Sequence, residues 1–183
     1  MGCDKCHSDK SKVPRIQAFN KFNDGQVISG DHRTEDVTYV NFDTFTERKC
    51  INYEQDPETG TVFTIKKDGT YQINYGGIFI LGVNIEPPQE LPSPIPFTFG
   101  ATILVNALTP PVSGPQNGEI FYSSLNTVID GILPVGTTVV TQNRSYLLKL
   151  KHGDKLRYIA GGASGELYNV LLLNANLSLE RLP

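Results

Sequence analysis

The chain has no tryptophan, one methionine and three cysteines in 183 residues. Three is an odd number, so pairing within the chain leaves one thiol over. No apolar run approaches the length of a membrane span. Lys and Arg number 16 against 19 Asp and Glu, for a formal net charge of −3. With no basic excess or polybasic stretch, neither nucleic acid nor a membrane surface is expected as a partner. Residues 1–12 are polar and lack the apolar centre of a secretory signal. The expectation is a chain that stays in the cytoplasm or reaches a surface without a cleaved signal, as a protein laid onto a spore from within its mother cell would. H-E-x-x-H, G-x-S-x-G and phosphate-loop patterns are missing too. Gly161-Gly162-Ala163-Ser164-Gly165 lacks the Lys and the adjoining helix of a phosphate cradle and reads as a turn region. No acid–base or nucleophile pair can be named, so an enzyme is not expected.

What is present is short-range alternation. Tyr71, Ile73 and Tyr75 alternate with Gln72 and Asn74, the period of a half-buried strand. Val139–Thr141, Tyr146/Leu148/Leu150, Leu156/Tyr158, Leu171/Leu173 and Leu177/Leu179 continue the theme. Residues 63–81 read as strand, tight turn, strand, and the turn chemistry of Asp68-Gly69 and of His152-Gly153-Asp154 suits positive φ at glycine. The run 166–174 reads as strand because glycines precede it and an alternating segment comes after it. Many short strands with turn signals between them predict a sandwich or barrel. Residues 1–17 form a polar arm and residues 18–183 one domain. Strands occupy 18–85 and 119–183, and the Pro-rich stretch 86–118 holds one strand candidate, Phe97–Leu108.

The arm carries Cys3-Asp4-Lys5-Cys6-His7. The pattern matches c-type haem attachment, and two Cys with one His would also give zinc three ligands. Neither haem nor metal is expected in so short a polar tail, and two thiols on a mobile arm suit bonds between subunits under oxidising conditions. Cys50 reads either as a buried small hydrophobe or as a partner for Cys3 or Cys6 of another chain. His7, His32 and His152 sit in polar loop sequence. Asp31, Asp36, Asp43, Glu54 and Asp56 have no calcium-loop spacing and read as solvated. Asn143-Arg-Ser and Asn176-Leu-Ser match the glycosylation sequon, which has no consequence without secretion. No cofactor is expected.

Several segments in order resemble one family. They are Val40-Asn41-Phe42-Asp43, Asn52-Tyr53-Glu54, Thr59-Gly60-Thr61-Val62-Phe63-Thr64, Asp68-Gly69-Thr70-Tyr71, and the run 148–156 with its Gly153-Asp154 turn. Together they are similar to the trimeric jelly rolls of the tumour necrosis factor and complement-q-head type. The ending 177–182 is closer to bacterial members, including collagen-like and cap proteins of the Bacillus exosporium. The chain departs from the pattern in having no Gly-X-Y run, a long 86–118 loop and no terminal Phe-x-Gly. The resemblance implies an all-β, antiparallel jelly-roll sandwich of about ten strands that forms a homotrimer. Tyr71, Ile73, Tyr75, Leu148, Leu150, Leu177 and Leu179 are then the candidates for core or trimer packing. The expected function is structural: a self-assembling spore-surface or fibre subunit whose arm links neighbouring trimers. Cys3, Cys6 and Cys50 are the disulfide candidates, and other spore-coat or exosporium proteins are possible partners. The alternative is a ligand- or receptor-binding head.

Overall fold

Period-two alternation becomes strand wherever one face can be buried. The computed structural model describes residues 13–28, 38–83, 95–106, 124–129, 137–162 and 168–183. They contain eleven strands and no helix. The strands are β1 (Arg15–Ile28), β2 (Thr38–Tyr39), β3 (Thr44–Lys49), β4 (Ile51–Asp56), β5 (Gly60–Ile65), β6 (Gly69–Val83), β7 (Ile95–Val105), β8 (Ser124–Ile129), β9 (Thr137–Leu150), β10 (Lys155–Gly162) and β11 (Tyr168–Arg181). One sheet has the order β3-β1-β11-β6-β9, the other β4-β5-β10-β7-β8 with β2 beside β10. The pairings are antiparallel.

Two connections between paired neighbours stay within a sheet, β4 to β5 and β7 to β8. The stretch 63–81, read from sequence as a strand, turn and strand, is instead a crossing: β5 lies in one sheet and β6 in the other. The same holds for His152-Gly153-Asp154, which carries the chain from β9 to β10. Gly153 has the expected positive φ of 93°, but Gly69 does not. A Cβ at Gly69 would lie 2.3 Å from Arg181 Nε, so a larger residue there would have to displace the Arg181 side chain. β1 begins at Arg15 and Ile16 is fully buried, so residues 15–17, assigned from sequence to the arm, belong to a sheet.

The core lies between the sheets. All seven packing candidates are in it: Tyr71, Ile73, Tyr75, Leu148, Leu150, Leu177 and Leu179 are at most 3% exposed. Aromatic rings run through it in contact, from Tyr146 to Tyr75, Tyr158, Phe42, Phe63, Phe45 and Tyr53, with centroids 3.7–6.4 Å apart. Phe45 and Tyr53 stack where the chain passes from β3 to β4. Offset and edge contacts of this kind add to the burial term.

The motif Val40-Asn41-Phe42-Asp43 is the crossing from β2 to β3, and it carries Phe42 into the core. Buried irregular backbone needs partners, and here they come from several elements. Val40 N donates to Tyr158 O (2.9 Å), Phe42 N to Thr61 Oγ1 (2.8 Å), Asn20 Nδ2 to Asn41 O (2.5 Å) and Gln55 Nε2 to Phe42 O (2.5 Å). Gly60 closes the β4–β5 turn with φ of 71°, and a Cβ there would sit 2.8 Å from Tyr39 Cβ. Both the backbone angle and the space demand glycine.

Pro14 and the C-terminal residues lie at one end of the sandwich, where the crossings are tied together. Arg181 N donates to Pro14 O (2.9 Å) and Leu182 N to Thr70 O (2.8 Å). The Asp68 carboxylate accepts His152 N (2.7 Å), and Asp154 accepts Lys151 N (2.7 Å) and Asn106 Nδ2 (2.9 Å). The strand ends on either side of 29–37, 84–94, 130–136 and 163–167 lie at the opposite end.

Candidate functional site

The site with the clearest chemistry is the outer face of the five-stranded sheet. Inward positions of β1, β11, β6 and β9 are buried, so their neighbours in sequence point outward. Among the described residues five large apolar side chains are exposed: Val13 (41%), Phe19 (37%), Val27 (60%), Val139 (61%) and Leu147 (63%). Four of the five are on this face, and Val13 lies just ahead of β1. Scattered exposed apolar residues are ordinary; concentration on one face is not.

Register shows how they are arranged. Val27 pairs with Leu171, Leu171 with Ile80, and Ile80 with Val139. These four make an unbroken apolar row across β1, β11, β6 and β9 at the end away from Pro14 and the C-terminus. Nearer that terminus the face turns polar. Thr46 pairs with Gln17, Gln17 with Ser178, Ser178 with Asn74, and Asn74 with Ser145. Thr46 Oγ1 donates to Gln17 Oε1 (3.2 Å) and Asn74 Nδ2 to Ser178 Oγ (3.1 Å). Gln72 Nε2 spans Asn74 Oδ1 (3.4 Å) and Ser145 Oγ (3.5 Å).

Between the polar and apolar zones, Phe19, Asn176, Gly76 and Asn143 stand in one row. Asn143 lies over Gly76, where a Cβ would come within 2.3 Å of its Oδ1 and 2.4 Å of Gln142 O. Both sequon asparagines, Asn143 and Asn176, thus flank the same glycine on the same face.

The seven candidates that alternation picks out line the core, and none faces outward. Ile80 and Leu171 are not legible as outward residues because each lies in a continuous apolar run, 78–81 and 171–173, which carries no parity signal of its own. Cys3, Cys6, His7, His32, Asp31 and Asp36 lie outside the described residues. Cys50 sits between β3 and β4, 9% exposed, a free thiol with φ of 53°. Asp43 accepts from Thr44 Oγ1 (2.8 Å), Glu54 is exposed, and Asp56 accepts the N–H groups of Glu58 and Thr59 (2.8 and 2.9 Å). These turn N–H groups, Thr59 foremost, hold the Asp56 carboxyl below its usual range. Among the described residues no three His, Cys, Asp or Glu side chains gather as metal ligands. Burial pushes the Tyr71 hydroxyl up to about 12 and raises Tyr158 further.

No family model and no curated protein matches the chain. Solved structures do. Eiger TNF from S. frugiperda superposes with a TM-score of 0.53 over 93% of each chain at 11% identity. Murine APRIL gives a TM-score of 0.51 over 93% of this chain and 100% of its own, at 13% identity. The globular domain of zebrafish complement 1qA gives 0.49 over 93% and 98%, also at 13% identity. The first two establish the fold as an all-β jelly roll of the tumour necrosis factor type, which the sequence motifs resemble.

Proposed function

We propose that this chain is the subunit of a self-assembling homotrimer at a spore or cell surface, joined through the outer face of its five-stranded sheet. The concentration of exposed apolar side chains on that face carries the reading. Fully covering a Val, Leu, Ile or Phe side chain contributes roughly 1.5–3 kcal/mol. Association itself costs about 4–15 kcal/mol. One or two such residues are therefore too few; the row Val27–Leu171–Ile80–Val139, with Phe19 beside it and Leu147 farther along the face, supplies several partly exposed side chains to cover. The copy number of three comes from the resemblance to trimeric jelly rolls. The arm, with Cys3 and Cys6, joins β1 at the end where the C-terminus lies, away from the apolar row. It is the part available to link one trimer to the next, by disulfides between arms, since the Cys50 thiol is buried.

Light scattering of the purified protein should give about three times the chain mass of 20.2 kDa, or a multiple of it. Val27→Lys combined with Val139→Lys places two charges in the apolar row and should give folded monomers. An unchanged mass in that variant would rule out this face. A second reading is a ligand-binding head, favoured by four connections leaving the strands at the end opposite the C-terminus. A head of this kind would remain a discrete oligomer under oxidising conditions, where linked trimers would form long polymers visible by electron microscopy.

A further inference from the structure

A net charge of −3 describes the whole chain and hides where its charges lie. The end of the sandwich that holds Pro14 and the C-terminus gathers cations from both sheets. Lys149 pairs with Thr70 beside Leu182, and Lys151 follows where the chain crosses from β9 to β10. Lys155 opens β10, and Lys66 and Lys67 occupy the crossing from β5 to β6. Across the five-stranded sheet Arg15 pairs with Lys49 and Glu180, Glu47 and Arg48 precede Lys49, and Arg181 ends β11. This end therefore has nine of the 16 Lys and Arg and four of the 19 Asp and Glu, namely Glu47, Asp68, Asp154 and Glu180. Nine less four is +5, or +4 with a carboxylate on Pro183, and the remaining seven cations and 15 anions leave −8 for the rest of the chain. Within that remainder residues 1–12, which join this end, are themselves positive: Lys5, Lys10 and Lys12 against Asp4 and Asp9. One charged row further in, Glu54 and Arg157 flank Val62 and offset each other.

We propose that this end is a docking surface for an acidic polysaccharide, whose carboxylate or sulfate groups lie across Lys66, Lys67, Lys149, Lys151 and Lys155. The proposal goes beyond the self-association reading and does not rest on it. The lysines stand on a braced frame. Gly153 N donates to Ile65 O (2.8 Å) and Ile65 N to Asp154 O (2.9 Å), which ties the two crossings together. The Asp68 carboxylate accepts His152 N and that of Asp154 accepts Lys151 N, both at 2.7 Å, so these acids hold the turns. Lys149, Lys151 and Lys155 are exposed, and Lys66 and Lys67 are half-buried. Cations of one sign fixed close together raise a potential that draws in a polyanion. A second copy presenting the same end is repelled by it. Nucleic acid is disfavoured on two grounds. Six of the nine cations are lysine, a point charge without the bidentate fork of arginine. None of the described residues at this end is an exposed aromatic on which a base could stack. Peripheral lipid binding commonly uses an amphipathic helix, and the described residues contain none.

The test titrates the full chain with alginate, which carries carboxylates, and with heparin, which carries sulfates, by calorimetry. Both should bind, and binding should weaken steeply between about 0.05 M and about 0.5 M salt. Lys66→Gln/Lys151→Gln should weaken it about ten-fold, the low end of what a focused field adds to encounter. Lys21→Gln/Arg144→Gln makes the same change in net charge away from this end and should leave binding nearly as it was. Lys67→Gln/Lys155→Gln reads the same surface, so misfolding of one pair leaves the other to decide. Absence of binding to both polymers, or equal loss in the Lys21/Arg144 control, overturns the proposal. Tighter binding to duplex DNA or to phosphatidylglycerol vesicles than to either polysaccharide also overturns it, and assigns the surface to nucleic acid or lipid instead.

Discussion

Asn106 and Cys50 both hold left-handed backbone, with φ of 55° and 53°. Left-handed backbone costs an ordinary residue about 1–2 kcal/mol and asparagine less. The Asn106 side chain also fastens two elements. Its Oδ1 accepts Lys155 N (2.8 Å) and its Nδ2 donates to Asp154 Oδ1 (2.9 Å). The two contributions separate by substitution. Asn106→Gly keeps the backbone angle and loses the bonds, at about 0.5–1.5 kcal/mol each. Asn106→Ala loses the bonds and adds the backbone strain. Urea denaturation should therefore rank Asn106→Ala below Asn106→Gly by about 1 kcal/mol or more. Equal losses would mean the backbone angle is unimportant there. Nothing in the sequence around Asn106 marks it, because its partners are 48 and 49 residues away.

At the level of elements, β1 was half legible. The polar character of residues 1–12 sets them apart from the strand, but that strand starts at Arg15, and a sequence boundary at 17 cuts it. Ile16 is fully buried, Arg15 pairs with both Glu180 and Lys49, and Arg181 N bonds Pro14 O. Deleting residues 1–12 removes none of these contacts. The melting temperature should be unchanged and polymers should disappear. Deleting 1–17 removes Ile16, whose loss alone is comparable to a cavity-forming substitution of about 2–5 kcal/mol. That variant should melt well below the full chain or fail to fold. A shorter deletion that still polymerises would show that the arm does not link trimers. Asp68-Gly69 and Gly153-Asp154 teach a related point. Turn residues report a reversal of direction and are silent on whether the next strand joins the same sheet.

For the whole molecule, the densely aromatic core makes stability depend on alkaline pH. Burial lifts the Tyr71 hydroxyl from an ordinary value near 10 to about 12. Between these values the unfolded chain loses its proton and the folded one keeps it. The stabilising contribution is thus complete below about pH 10 and declines as pH rises toward 12. Tyr158, fully buried, acts in the same direction. Urea midpoints should fall from about pH 8 to about pH 11 in the wild type. Tyr71→Phe should start lower, because the bond to Lys67 O (2.7 Å) is lost, and should fall less over that interval. An identical pH slope in the variant would show that Tyr71 does not carry the effect.

The sequence by itself determined the class of the fold and most of the strands. Alternation such as Tyr71/Ile73/Tyr75 is local, and a strand with one buried face needs nothing distant to be recognised. It also supplied the motifs whose purpose is now visible: Phe42 as the plug of a crossing and Gly60 as a turn residue pressed against Tyr39. Only the tertiary structure decided which sheet each strand joins and which apolar residues are left over. Ile73 and Ile80 lie on the same strand and are equally apolar. One is buried at 1% exposure between the sheets, while the other stands in an outward row with Val27, Leu171 and Val139. That difference is set by parity against strands far away in the chain, and parity across a continuous apolar run is fixed only once those strands have paired.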